Sequence, residues 1–92
     1  MNVNKERIGE IRKRLESALQ PSKLEIADES HEHIGHVGAK SGKGHFLITI
    51  VSDRFVGLNP VQRHRLIYDA IGDLMDSDIH ALRIEASPPA AP

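Results

Sequence analysis

Ile8, Ile11, Leu15, Ala18 and Leu19 recur at steps of three and four, which predicts an amphipathic helix with a single apolar stripe. Glu6, Glu10, Lys13 and Arg14 occupy its other face, with Glu10 and Arg14 spaced as a favourable i,i+4 pair. Pro21 ends this helix near residues 18–20, because a residue preceding proline is pushed out of the α region. Leu24, Ile26 and Asp28 then alternate with Glu25, Ala27 and Glu29, the period of a half-buried strand over 23–29. Residues 30–44 hold four of the seven glycines and three histidines without periodicity, and are expected to form a long loop. Residues 45–52 are rich in Phe, Ile, Val and Thr and read as the central strand. Residues 53–58 turn the chain, with Phe55 pointing back as an anchor.

Asn59-Pro60-Val61-Gln62 opens a second helix. Asn can cap, proline suits the first helical position, and Gln three residues on can reach back to the cap. Its apolar stripe is Ile67, Ala70, Ile71, Leu74 and Met75, so the helix is expected to end near Met75. A third strand is expected over 79–86, with Ile79, Ala81 and Arg83 on one side and His80, Leu82 and Ile84 on the other. Residues 87–92 form a proline-rich tail with nothing to pack, expected to be disordered, which leaves one domain over 1–86. Helix, strand, strand, helix, strand is the predicted order. The first two strands pair antiparallel, the last two parallel through a right-handed crossover, and both helices cover one face of a three-stranded mixed sheet. The fold class is α+β.

Composition narrows the picture. Ninety-two residues support one core, and with two Phe, one Tyr and no Trp that core must be mostly Ile, Leu and Val. Twelve basic and 13 acidic residues give a formal net charge of −1, so no global field draws the chain to nucleic acid. The absence of cysteine fits a reducing compartment. The first ten residues are polar, and the longest apolar run, 46–51, is too short to span a bilayer. A cytoplasmic protein without a membrane partner is the expectation.

Six histidines remain the most suggestive chemical feature, because imidazole is the commonest side-chain metal ligand. His31-x-His33-x-x-His36 forms a dense loop cluster that could take zinc, although structural zinc usually wants cysteine and fixed spacing. His80 opens the short apolar run Ile79-His80-Ala81-Leu82; a histidine there is either a satisfied structural residue or an exposed ligand. Arg63-His64-Arg65 places cationic groups in the first turns of a helix, against its macrodipole. They either meet an anion or a partner carboxylate, or one of them, His64 by preference, folds inward onto a backbone carbonyl. Gly35-His36-Val37-Gly38 has the form of the KH nucleic-acid loop, but it joins two strands rather than two helices. There is no phosphate-binding glycine loop and no Ser/His/Asp arrangement, so an enzyme is not expected.

Asp28-Glu29-Ser30, His45-Phe46, Val51-Ser52-Asp53-Arg54-Phe55-x-Gly57, Arg63-His64-Arg65-Leu66-Ile67-Tyr68 and Ile79-His80-Ala81-Leu82 resemble the BolA family in order and spacing. The resemblance implies an αββαβ core related to the class II KH fold. It implies a monothiol glutaredoxin of the Cys-Gly-Phe-Ser type as partner and a 2Fe–2S cluster held between the two proteins. In that complex the glutaredoxin and a glutathione give thiolates and the BolA-like protein gives imidazole. The family's ligand positions match His80 and the loop residue His33, with His31 and His36 as neighbours that could substitute for it. Unlike many members, which continue into a final helix, this chain passes from the third strand to Ser87-Pro88-Pro89. The expected function is an iron–sulfur trafficking or regulatory adaptor, a monomer or weak homodimer when free. The rival within the same resemblance is a DNA-binding transcriptional regulator using the KH-like face, with Arg63, Arg65 and Lys43 on phosphates and His64 beside them. A loop that buffers zinc through His31 and His36 without any partner is a third reading.

Overall fold

A computed structural model describes residues 3–29 and 44–90. Helix α1 (Val3–Leu19) leads into β1 (Lys23–Asp28) and β2 (Gly44–Val51). A 3-10 turn at Asp53–Phe55 then leads to α2 (Pro60–Ile71), the short α3 (Leu74–Ser77) and β3 (Ile79–Ser87). The strand order is β1-β2-β3, with β1 antiparallel and β3 parallel to the central β2. This is the predicted α+β arrangement of a three-stranded mixed sheet.

Ile11, Leu15 and Leu19 bury one face of α1 against Phe46, Ile48 and Ile50 of β2 and against Ile67 and Ile71 of α2. The predicted i, i+4 stripe is therefore the helix's core face. At its C-terminus Gln20 takes a left-handed φ of 46°, and its N–H donates to Glu16 O at 3.1 Å before Pro21 follows. Leu24, Ile26 and Asp28 are half-buried while Lys23, Glu25 and Ala27 are exposed, as the alternation predicts. Ser52, buried at the end of β2, ties three elements together. Its hydroxyl donates to Leu19 O at 2.6 Å and accepts from Arg54 N–H at 3.1 Å. Phe55, in the turn that follows, is fully buried.

The start of α2 follows its sequence. Asn59 Oδ1 accepts from Gln62 N–H and Gln62 Oε1 accepts from Asn59 N–H, both at 2.9 Å, with Pro60 at the first helical position. The end does not. A continuous helix to Met75 is expected, but Gly72 takes a φ of 59° and breaks it after Ile71, and a single further turn carries Leu74 into the core. Arg14 of α1 covers the break, donating from Nη1 to Ile71 O (2.5 Å) and to Asp73 Oδ1 (2.9 Å). A cation on the last carbonyls of a helix opposes the negative end of its dipole. Asp73 and then Glu10 hold the Arg14 guanidinium more firmly in its charged form than usual.

The strict alternation expected in β3 also fails. Ile79 is buried, and so is the core-facing side of Leu82, Ile84 and Ala86, which perfect period-2 geometry forbids. The register resolves the conflict: Gly44 stands opposite Ile79 but His45 opposite Ala81, so β3 holds one extra residue, His80, as in a β-bulge. The slip switches parity, letting apolar residues on both sides of His80 face the core. No described helix is long and apolar enough to cross a membrane.

Candidate functional site

A bulge re-aims a side chain, and such irregularities are enriched beside functional sites. Here it presents His80 to solvent at the start of β3. The His80 ring centroid lies 4.9 Å from that of His45 on β2, with the planes tilted by 51°. His45 itself is buried, only 4% exposed. One buried imidazole therefore backs one accessible imidazole.

Neighbouring groups hold both strands at this end of the sheet. Glu29 N–H donates to His45 O at 2.7 Å. The Glu29 carboxylate, 14% exposed, accepts from Arg83 Nη1 at 3.1 Å on one oxygen and 2.9 Å on the other. Arg83 belongs to β3, so this bond spans the sheet across β2. Just before the bulge, Gly44 N–H donates to Asp78 O at 2.9 Å, and Arg7 Nε of α1 donates to Asp78 Oδ2 at 3.1 Å. The Ser77 hydroxyl, with Arg7 next in effect, holds the Asp78 carboxyl below the usual carboxylate range. The entry to β3 is thus tied to β2 and to α1 just ahead of His80.

The predicted site residues separate on this geometry. His80 is exposed and set at the bulge. His33 and Lys43 lie outside the described residues, as do His31 and His36. Arg63 is the member of its trio that folds inward, where His64 was the expected one: Nε donates to Leu58 O at 2.9 Å and Nη1 to Ala86 O at 3.1 Å. His64 is half-buried, and Arg65 projects into solvent. Among the described residues no group of three or more His, Cys, Asp and Glu could hold a metal ion. His45 and Glu29 were legible only as strand residues. The signal that joins them to His80 is the broken alternation of Ile79 and Leu82, apolar at a spacing of three.

The family model described as BolA-like protein matches residues 15–91. SufE-like protein 1, chloroplastic/mitochondrial, of Arabidopsis thaliana is 46% identical over 87% of this chain, which spans 23% of that protein. BolA-like protein 1 of Mus musculus is 42% identical over 87% of this chain and 56% of its own length, so this chain spans about half of that relative. The DNA-binding transcriptional regulator BolA of Vibrio cholerae is 43% identical over 80% of this chain and 67% of its own length. The solved BolA domain of SufE1 from Arabidopsis thaliana superposes with a TM-score of 0.78 at 44% identity, covering 97% of this chain and 95% of that one. With the family match over residues 15–91, the identities and the superposition all in agreement, the chain belongs to the BolA-like family.

Proposed function

We propose that this chain is an iron–sulfur trafficking or regulatory adaptor rather than an enzyme. Its partner would be a monothiol glutaredoxin, with which it shares a glutathione-ligated 2Fe–2S cluster through His80 and His33. The observation that carries this reading is the exposed His80 ring at the bulge, backed by the buried His45 ring. A ligating imidazole is oriented by its surroundings, and contact with the buried His45 ring limits where His80 can point. The chain has no cysteine, so every thiolate must come from the partner side, which accounts for the need for a complex. Imidazole on one iron raises the reduction potential of such a cluster relative to all-thiolate ligation. His80 would supply that nitrogen, the Asp78 and Gly44 contacts would hold its strand, and a reducing cytoplasmic setting suits the shared thiolates.

The test is reconstitution. This protein is mixed with a monothiol glutaredoxin, glutathione, iron and sulfide, separated by size, and read by visible absorption and circular dichroism. The reading expects a heterocomplex whose spectrum differs from that of the glutaredoxin alone and changes with His80→Ala. It fails if no complex forms, or if the spectrum ignores His80.

A second reading, a DNA-binding regulator, is favoured by the name of the Vibrio cholerae relative and by the exposed Arg54 and Arg65. Its mark is DNA affinity that falls steeply with salt, by about one power of salt concentration per phosphate contact. The net charge of −1 and the commitment of Arg63 to backbone carbonyls count against that role.

A further inference from the structure

β3 is an edge strand, and its outward backbone groups can be identified. Ser87 O accepts from Ser52 N–H at 3.2 Å across the parallel β2–β3 ladder. In such a ladder alternate residues turn both backbone groups toward the neighbour. Counting back from Ser87, Glu85, Arg83 and Ala81 face β2, while Ala86, Ile84 and Leu82 face away from it. The bond from Arg63 Nη1 to Ala86 O agrees, because that carbonyl must be open to the helix side of the edge. Leu82 and Ile84 have no backbone partner among the described residues on this outer side. An unpaired edge is a template for a further strand.

The flank of α2 above that edge carries two exposed apolar side chains. Leu66, Asp69 and Ala70 line a cleft against Ala18 and Leu19 of α1. At 100° per residue, Val61, His64 and Tyr68 then lie on the side of α2 away from α1. Because α1 packs over β1 and α2 over β3, that side overlooks the open edge. Val61 and Tyr68 are two of the three large hydrophobic side chains exposed among the described residues, at 60% and 40%.

We propose that two copies of this chain associate through this face, β3 against β3 in antiparallel register with Ile84 on the two-fold axis. The charge pattern selects both the occupant and the register. With Ile84 opposite its own copy, Arg83 stands opposite Glu85 twice, and Leu82 opposite Ala86. Centring on Arg83 would instead oppose two arginines, which is unfavourable. Arg83 uses only Nη1 on Glu29, and Glu85 has no ion pair among the described residues. Ala86 O can accept a strand bond beside that of Arg63, since a carbonyl has two lone pairs. Pro88 and Pro89 cannot donate, so the ladder stops short of His80, which remains outside it. Val61 and Tyr68, on the side of α2 that overlooks the edge, would be covered by the second copy. A net charge of −1 opposes the association little.

The test is sedimentation velocity of the free full chain over a concentration series at low salt, with circular dichroism to confirm folding. A dimer that dissociates on dilution is expected. Arg83→Glu and Glu85→Arg should each weaken it about tenfold, by placing like charges opposite one another. The double variant Arg83→Glu/Glu85→Arg should return to within about twofold of the parent, although its bond to Glu29 stays lost. A monomer at every soluble concentration overturns the proposal. So does a double variant no better than either single one, or a dimer indifferent to both charges and lost only with Val61→Asp, which would place the contact on the helix alone.

Discussion

His45 and His80 touch ring to ring, 4.9 Å between centroids, yet one ring is buried and the other open to solvent. On the proposed cluster role, the two should therefore separate stability from ligation. His80→Ala removes an exposed ring from a strand entry that other bonds hold, and should change unfolding free energy by no more than about 0.5 kcal/mol. His45→Ala empties a buried site and should lower it by about 2 kcal/mol. Urea unfolding of both variants, beside the reconstituted cluster spectrum, gives the comparison. Equal destabilisation by the two substitutions would contradict the division of roles.

Gly44 has no room for a side chain. A Cβ there would lie 2.4 Å from two ring carbons of Phe46, which is only 1% exposed. Gly44→Ala should cost about 1–3 kcal/mol, as overpacking does. Because the clash is with one ring, Phe46→Leu in the same chain should be less than additive with it. Denaturant midpoints of the two single variants and the double variant measure that coupling.

Removing the Ser52 hydroxyl strands two backbone groups at once, the Leu19 carbonyl and the Arg54 N–H. With Ser52 buried, Ser52→Ala should lower stability by about 1–3 kcal/mol, more than loss of one surface hydrogen bond. A value near zero in urea unfolding would mean that water reaches the junction of α1 and β2.

The Asp78 carboxyl is held below the ordinary range by the Ser77 hydroxyl first and Arg7 second. A folded value below the unfolded one means that its contribution is complete above the unfolded value and disappears as pH falls through the folded one. Stability measured from neutral to acid pH should therefore decline more steeply in the parent than in Asp78→Asn. The difference should be small, because the carboxylate is 34% exposed and solvent screens it. A steeper decline in the variant would reverse the sign of this linkage.

Much of this architecture can be read from periodicity. The stripe of Ile11, Leu15 and Leu19, the alternation of Leu24 and Ile26 and the Asn59–Gln62 capping box are local patterns, and each forms the element it predicts. What stays hidden depends on partners distant in sequence. Gly72 interrupts a good helical stripe, and its break is stabilised by Arg14, 58 positions earlier. The bulge at His80 exists because the core needs both Ile79 and Leu82, a demand set by packing against other elements. Arg63 cannot be told from Arg65 by position alone. Only the nearby Leu58 and Ala86 carbonyls distinguish the inward cation from the outward one.

The central place of β2 carries a dynamic consequence. Its amides pair on both sides, with β1 and with β3, so none can open without parting the whole sheet. Hydrogen exchange at Phe46, Ile48 and Ile50 should report global unfolding, while the outward amides of Leu82 and Ile84 should exchange by local opening. The parallel pairing of β2 with β3 forms only after α2 has closed the crossover, so protection should reach β3 last when the chain refolds.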